Sequence, residues 1–243
     1  LCRSPVGYDV ISSTKPQAWT LSPQMTAAPE LWCAVDLAYA FGWSLRAIQG
    51  AGSVSGSSSV AASPYGRGLD TTSRMTPSTV FDPVSNGPNT EVLIAACFSP
   101  RSSANGNRIM IDFSEPGGDN FARGTFHVEN EQMKWRDSDF VGGDDFVLGG
   151  LNMGVLNTFA YTRFVDSTGR TNSAWVNGER SDFGSIMEGP RFDLRFIGGS
   201  SESGTNPFDG FIYWVVFAYR KGSDGIGKAI NNDPFAMLRP AGF

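Results

Sequence analysis

The stretch that most constrains the fold is the run Phe208-Asp209-Gly210-Phe211-Ile212-Tyr213-Trp214-Val215-Val216-Phe217-Ala218-Tyr219-Arg220. It is rich in aromatic and β-branched residues and carries no proline. Asp-Gly precedes it and Lys-Gly-Ser-Asp-Gly follows it, so it reads as a strand between turns. Side chains alternate faces in a strand, which predicts Phe211, Tyr213, Val215, Phe217 and Tyr219 on one side. Ile212, Trp214, Val216 and Ala218 then point the other way. Both sets are apolar, so the strand must be covered on both faces, as in the middle of a sandwich of sheets. A buried helix is the competing reading, and the β-branched and aromatic content argues against it.

A chain of 243 residues can hold one large all-β domain around that strand. Hydrophobic residues make up 40%, enough for a substantial core and too many for a disordered chain. The net charge of −5 comes from acidic and basic residues mixed along the chain, not the basic stripe of a nucleic-acid binder. No stretch approaches the roughly 20 apolar residues needed to span a bilayer. No basic segment followed by an apolar one opens the sequence. It starts at Leu1 rather than methionine, so a removed signal or propeptide stays open. Three cysteines, Cys2, Cys33 and Cys97, are an odd number without the spacing of a disulfide framework or a zinc site. Cys33 and Cys97 lie in apolar runs and read as small buried hydrophobes. One disulfide with a spare thiol is the alternative.

Residues 1–29 carry Pro5, Pro16, Pro23 and Pro29 among polar residues, with Tyr8, Trp19, Leu21 and Met25 between them. Frequent proline prevents a helix or a central strand, so this segment reads as an extended arm. Its aromatic and apolar residues suit an arm laid along a surface, on its own domain or on a neighbour's. The domain proper is then 30–243. Glu30–Trp43 reads as a mostly buried strand, and the small-residue tract Gly50–Ser63 as a loop or weak edge strand. Further strands are predicted at Glu91–Phe98, Arg108–Phe113, Gly124–Val128, Gln132–Arg136, Phe146–Leu148, Asn157–Val165, Asn172–Val176, Glu179–Phe183 and Arg191–Ile197. Between two of them lies Asn177-Gly178, a pair tolerant of positive φ and suited to a tight hairpin. A short helical turn fits Asp224–Asn232.

Three features, by their order along the chain across roughly residues 16–240, resemble laminin-G-like, concanavalin A-type jelly rolls, most of all those encoded by tailed bacteriophages. The C-terminal one is Gly210, Ile212, Val215 or Val216 and Tyr219, followed by Asn232, Pro234, Phe235, Leu238 and Pro240. The second is Tyr65-Gly66-Arg67-Gly68-Leu69-Asp70, coming after a proline-bearing arm, an apolar strand and a small-residue tract. The third is the strand ending in Asn177-Gly178. The resemblance implies an all-β, concanavalin A-like (laminin-G-like) jelly-roll sandwich with an extended N-terminal arm.

Candidate chemistry is sparse. Glu129 and Glu131 could share a strand face roughly 6–7 Å apart, near the ~5–5.5 Å of retaining glycosidase carboxylates. Glu129-Asn130-Glu131 reads better as a solvated hairpin tip. His127, the single histidine, lacks a Gly-x-Ser-x-Gly partner and reads as a strand residue facing solvent or satisfied in the core. Gly66-x-Gly68 has neither the lysine nor the helix of a phosphate loop. Asp137, Asp139, Asp144 and Asp145 could together hold calcium; their spacing fits no EF-hand, and an exposed acidic loop is the plainer reading. Trp135, flanked by Lys134 and Arg136, is the best candidate for a glycan platform, whereas Trp175 and Trp214 look like core.

A fold that hosts lectins, hydrolases and passive modules does not decide function. With no complete catalytic set in the sequence, the phage resemblance implies a non-enzymatic virion protein, a capsid decoration or tail-associated component. It would be a homo-oligomer, shown on the virion surface after synthesis in the host cytoplasm. It would dock on other virion proteins through its arm, Tyr8, Trp19, Leu21 and Met25, and through a sandwich edge. The alternative is a carbohydrate-binding module for surface glycans, with a glycoside hydrolase behind it. Nucleic acid and membrane are not expected partners.

Overall fold

The computed structural model describes residues 19–21, 31–36, 44–50, 53–56, 59–71, 75–77, 91–101, 108–114, 123–137, 145–166, 169–183, 193–199, 206–218, 229–234 and 238–240. Its elements are almost all strands: β1 (Trp19–Leu21), β2 (Leu31–Asp36), β3 (Ser44–Gly50), β4 (Ser53–Gly56), β5 (Ser59–Ser63), β6 (Gly66–Asp70) and β7 (Met75–Pro77). Then come β8 (Glu91–Pro100), β9 (Arg108–Ser114), β10 (Arg123–Glu129), β11 (Gln132–Asp137), β12 (Asp145–Gly150) and β13 (Asn157–Asp166). The last are β14 (Gly169–Val176), β15 (Glu179–Phe183), β16 (Asp193–Ile197), β17 (Asn206–Pro207), β18 (Gly210–Ala218) and β19 (Leu238–Pro240). One helical turn occupies residues 229–232.

Apart from the separate β1–β19 pair, these strands build two sheets, antiparallel except where β17 joins β9, packed as a jelly-roll sandwich, the fold class expected from the sequence. The first sheet runs β15, β14, β13, β8, β18. Beyond β18 it divides, with β2 along residues 214–218 and β6 along residues 211–212. The second sheet runs β12, β11, β10, β9, β16, β7, β4. β3 serves both: its last residues pair with β2 and its first with β4. The tract expected as a loop or weak edge therefore contains β4, paired on both sides, and β5, a true edge held by β6 alone among the described strands.

β18 is the central strand that its composition demanded, but its faces are not the ones simple alternation predicts. Against β8, Ile212 pairs with Phe98 and Trp214 with Cys97, leaving Tyr213 as an extra residue in a bulge. The bulge shifts the alternation by one. Ile212, Val215 and Phe217 face the core between the sheets. Phe211, Tyr213, Trp214 and Val216 line the outer face of the first sheet with Leu93, Ala95, Cys97, Ala160 and Trp175. That outer face is covered as well: Ile230 of the helical turn and Tyr65 pack on it, and Trp214 Nε1 donates to the Pro234 carbonyl at 2.7 Å. The glycine motif of β6 has a packing role, because a Cβ on Gly68 would come within 2.9 Å of the Tyr213 ring.

Between the sheets the core is strongly aromatic. Phe126 lies 4.6 Å from Trp135, 4.9 Å from Phe159 and 5.3 Å from Tyr161, ring centre to ring centre. Such contacts add to the free energy of simple burial. Two hairpins use paired residues of positive φ: Asn130 and Glu131 at 51° and 59°, and Asn177 and Gly178 at 51° and 81°. Both have the backbone sign of a type I′ turn, which matches the twist of the strands it joins. Of the cysteines, Cys97 is a buried free thiol, and burial pushes its pKa well up. The side chain of Cys33 and the whole of Cys2 lie outside the described residues.

Candidate functional site

Strands β10 and β11 alternate cleanly, and β12 does so over residues 145–148, up to a bulge opposite Met133 and Lys134. Phe126, Val128, Met133, Trp135 and Leu148 enter the core, so Thr125, His127, Glu129, Lys134, Arg136 and Asp145 fall on the opposite, outer face of the second sheet. Register decides which of them meet. Arg136 stands directly across from Asp145 and grips it with two bonds, Nε to Oδ1 at 2.7 Å and an Nη to Oδ2 at 2.9 Å. Lys134 reaches diagonally to Glu129, Nζ to Oε2 at 2.6 Å. These are charge-assisted bonds on a rigid sheet, and the Arg136 fork fixes the plane of the carboxylate.

His127 lies among them. Its side chain is fully buried, and its Nε2 is 3.7 Å from Asp145 Oδ2, reached over the top of β11. Neither ring nitrogen meets the geometry of a hydrogen bond, although the Thr125 carbonyl lies close enough to favour the protonated ring. His127 is thus not the solvent-facing residue that was one expectation. Burial lowers its pKa, against the opposing pull of Asp145. For Asp145 burial works upward, and the Arg136 bond with the charges of His127, Arg136 and Lys134 outweighs it, leaving the carboxyl below its usual range.

Of the residues proposed for glycan contact, Lys134 and Arg136 lie on this face, partly exposed. Trp135 does not. It is wholly buried, its ring stacked 8° from parallel to Tyr161 of the opposite sheet, because strand alternation turns it away from both its neighbours. Of the acidic set, Asp145 is in the cluster and Asp137 ends β11, its side chain outside the described residues. Asp139 and Asp144 lie outside them altogether. Within the arm, Trp19 and Leu21 belong to β1, which pairs with β19; their side chains, with Tyr8 and Met25, also lie outside the described residues. Glu131 is exposed in the turn, which separates it from Glu129 and gives the hairpin-tip geometry.

The grouping of His127 and Glu129 with Asp145 escaped sequence reading. Two-residue spacing puts Thr125, His127 and Glu129 on one face, but Asp145 joins them only through the pairing of β11 with β12.

No protein-family model matches the chain, and no curated protein matches it. Solved structures resemble it in fold. Domain 4 of AbnA, a GH43 extracellular arabinanase from Geobacillus stearothermophilus, in complex with arabinotriose, is 12% identical with a TM-score of 0.55, over 84% of this chain and 99% of that one. Trypanosoma rangeli sialidase in complex with sialic acid is 14% identical with a TM-score of 0.56, over 90% of this chain. This chain spans 37% of that sialidase's length. The CBM40 of Ruminococcus gnavus IT-sialidase, bound to α2,3 sialyllactose, is 17% identical over 63% of this chain, with a TM-score of 0.48. At these identities the likeness is one of fold: a sandwich shared with domains of carbohydrate-active proteins.

Proposed function

We propose that this chain is a carbohydrate-binding module that engages glycan on the outer face of β10, β11 and β12. The observation that carries the reading is the row of oriented hydrogen-bonding groups there: the Arg136–Asp145 fork beside the Lys134–Glu129 pair. Carbohydrates present paired hydroxyls, which such donor and acceptor pairs suit. The arabinotriose-bound domain of similar fold lends support. Among the described residues the exposed large hydrophobics are Val147 and Val155, with no aromatic ring. On the described residues of this face, recognition would run through polar groups.

Catalysis is not part of the proposal. A glycosidase needs one carboxyl kept protonated by its surroundings. Asp145, in the middle of the cluster, is held in the opposite direction.

The test is a glycan array followed by calorimetry with arabino-oligosaccharides and sialyllactose. Binding that falls at least about tenfold in Arg136→Ala, roughly the effect of losing one charged hydrogen bond, is the expected result. An array without hits, or sugar release that disappears in Glu129→Gln, would sink the module reading.

The virion reading rests on the order of sequence motifs, and none of the structural neighbours named above is a phage protein. Its own test is comigration with intact particles through a high-salt density gradient.

A further inference from the structure

The outer-face cluster contains one group whose hydrogen bonding is incomplete. Glu129 has Lys134 and Asp145 has Arg136, whereas His127 is fully buried with no hydrogen bond of good geometry to Nδ1 or Nε2, only the pull of the nearby Thr125 carbonyl. Leaving a buried polar group without good hydrogen bonds is costly, so such a group marks a place where a partner is missing. The 3.7 Å from Nε2 to Asp145 Oδ2 is too long for a hydrogen bond. It is close to the ~3.4 Å between two donors that share one tetrahedral ion. One ligand atom from each of His127, Glu129 and Asp145 lies within 4.8 Å of the others. A movement of about 1 Å brings three such donors to bonding distance of a common centre. Glu129, the longer of the two carboxylate side chains, can supply it. Each carboxylate oxygen carries two lone pairs, so Asp145 can accept from Arg136 and ligate an ion at once.

We propose that His127, Glu129 and Asp145 form a three-ligand site for one divalent first-row metal ion, linking β10 to β12 across β11. An imidazole with two carboxylates favours zinc or a similar ion over calcium, which collects six to eight oxygens. Water fills the remaining position. Arg136 and Lys134 orient the carboxylates from outside, as hydrogen-bonded outer partners do in metal sites. Their charges also neutralise the two acids when no ion is bound. This inference does not depend on the glycan reading, since metal uptake is measured with no sugar present.

The single histidine of the chain makes the test direct. Untagged protein is stripped with EDTA and titrated with zinc chloride, while the His127 imidazole resonances are followed by NMR and uptake by calorimetry. The expected result is one equivalent bound, with the His127 resonances shifting in step. Affinity should fall at least about tenfold in Glu129→Gln, the scale of losing a metal-site contact, and stay unchanged in Glu131→Gln on the turn. His127 resonances that stay still at saturating zinc overturn the proposal in wild-type protein, whether or not calorimetry detects binding elsewhere. Equal affinity in folded Glu129→Gln overturns it too.

Discussion

Gly124 and Trp135 share one space: a Cβ added to Gly124 would overlap Cη2 and Cζ2 of the Trp135 indole. They are diagonal neighbours on β10 and β11, because Phe126 is the residue directly opposite Trp135. The bare glycine lets the indole lie flat enough to stack on Tyr161.

Gly124→Ala should therefore destabilise the fold by about 3 kcal/mol, at the upper end for overpacking a core. Alanine is otherwise the better strand residue, so a neutral or stabilising result in urea denaturation would show that the indole has room to move.

The Arg136–Asp145 fork should show a measurable but modest coupling. With Arg136 36% and Asp145 19% exposed, a double-mutant cycle using Arg136→Ala and Asp145→Asn should give about 1 kcal/mol. A coupling near zero would mean that the fork follows from the strand register alone and not from attraction.

His127 should titrate below 6.5 in metal-free protein, since burial lowers its pKa. The unfolded chain then binds a proton at higher pH than the folded one. Stability from this group is present above pH ~6.5 and is lost as pH falls through the folded value. An NMR titration of the imidazole gives the midpoint directly. A value at or above 6.5 would mean that the ring is solvated or that the pull of Asp145 dominates.

Tyr213 should resist ionisation. Burial pushes its phenol up to about 12, although a hydrogen bond with Ser63 at 2.8 Å acts the other way. Its folded pKa lies above the unfolded one. Its contribution is intact below pH ~10 and is lost as pH rises through the folded value. In Tyr213→Phe the alkaline loss measured between those limits should shrink, as read by chemical denaturation at each pH.

Much of the architecture is legible locally. The strands β8 to β15 fall within a few residues of their predicted places, because period-two patterns and turn residues act over short range. Asn177-Gly178 announces its turn by residue type, whereas Asn130-Glu131 adopts the same positive φ values without glycine. The segments β3, β4 and β7 are short or rich in small residues, and pairing with neighbours makes them strands. The candidate site is less legible. Trp135 among charged residues looked exposed, yet its alternate position on β11 sends it inward.

What the sequence alone determined is that β18 must be central, since an aromatic strand with two apolar faces has no stable place at an edge or on a surface. It could not say which residue faces which way. A bulge at Tyr213, set by the register with β8, shifts the alternation and sends Ile212 into the core and Trp214 outward. The same holds for His127, whose meeting with Asp145 depends on two successive strand pairings. Alternation is a local property of the backbone, but register is a relation between strands distant in sequence, and only packing of the whole sandwich decides it.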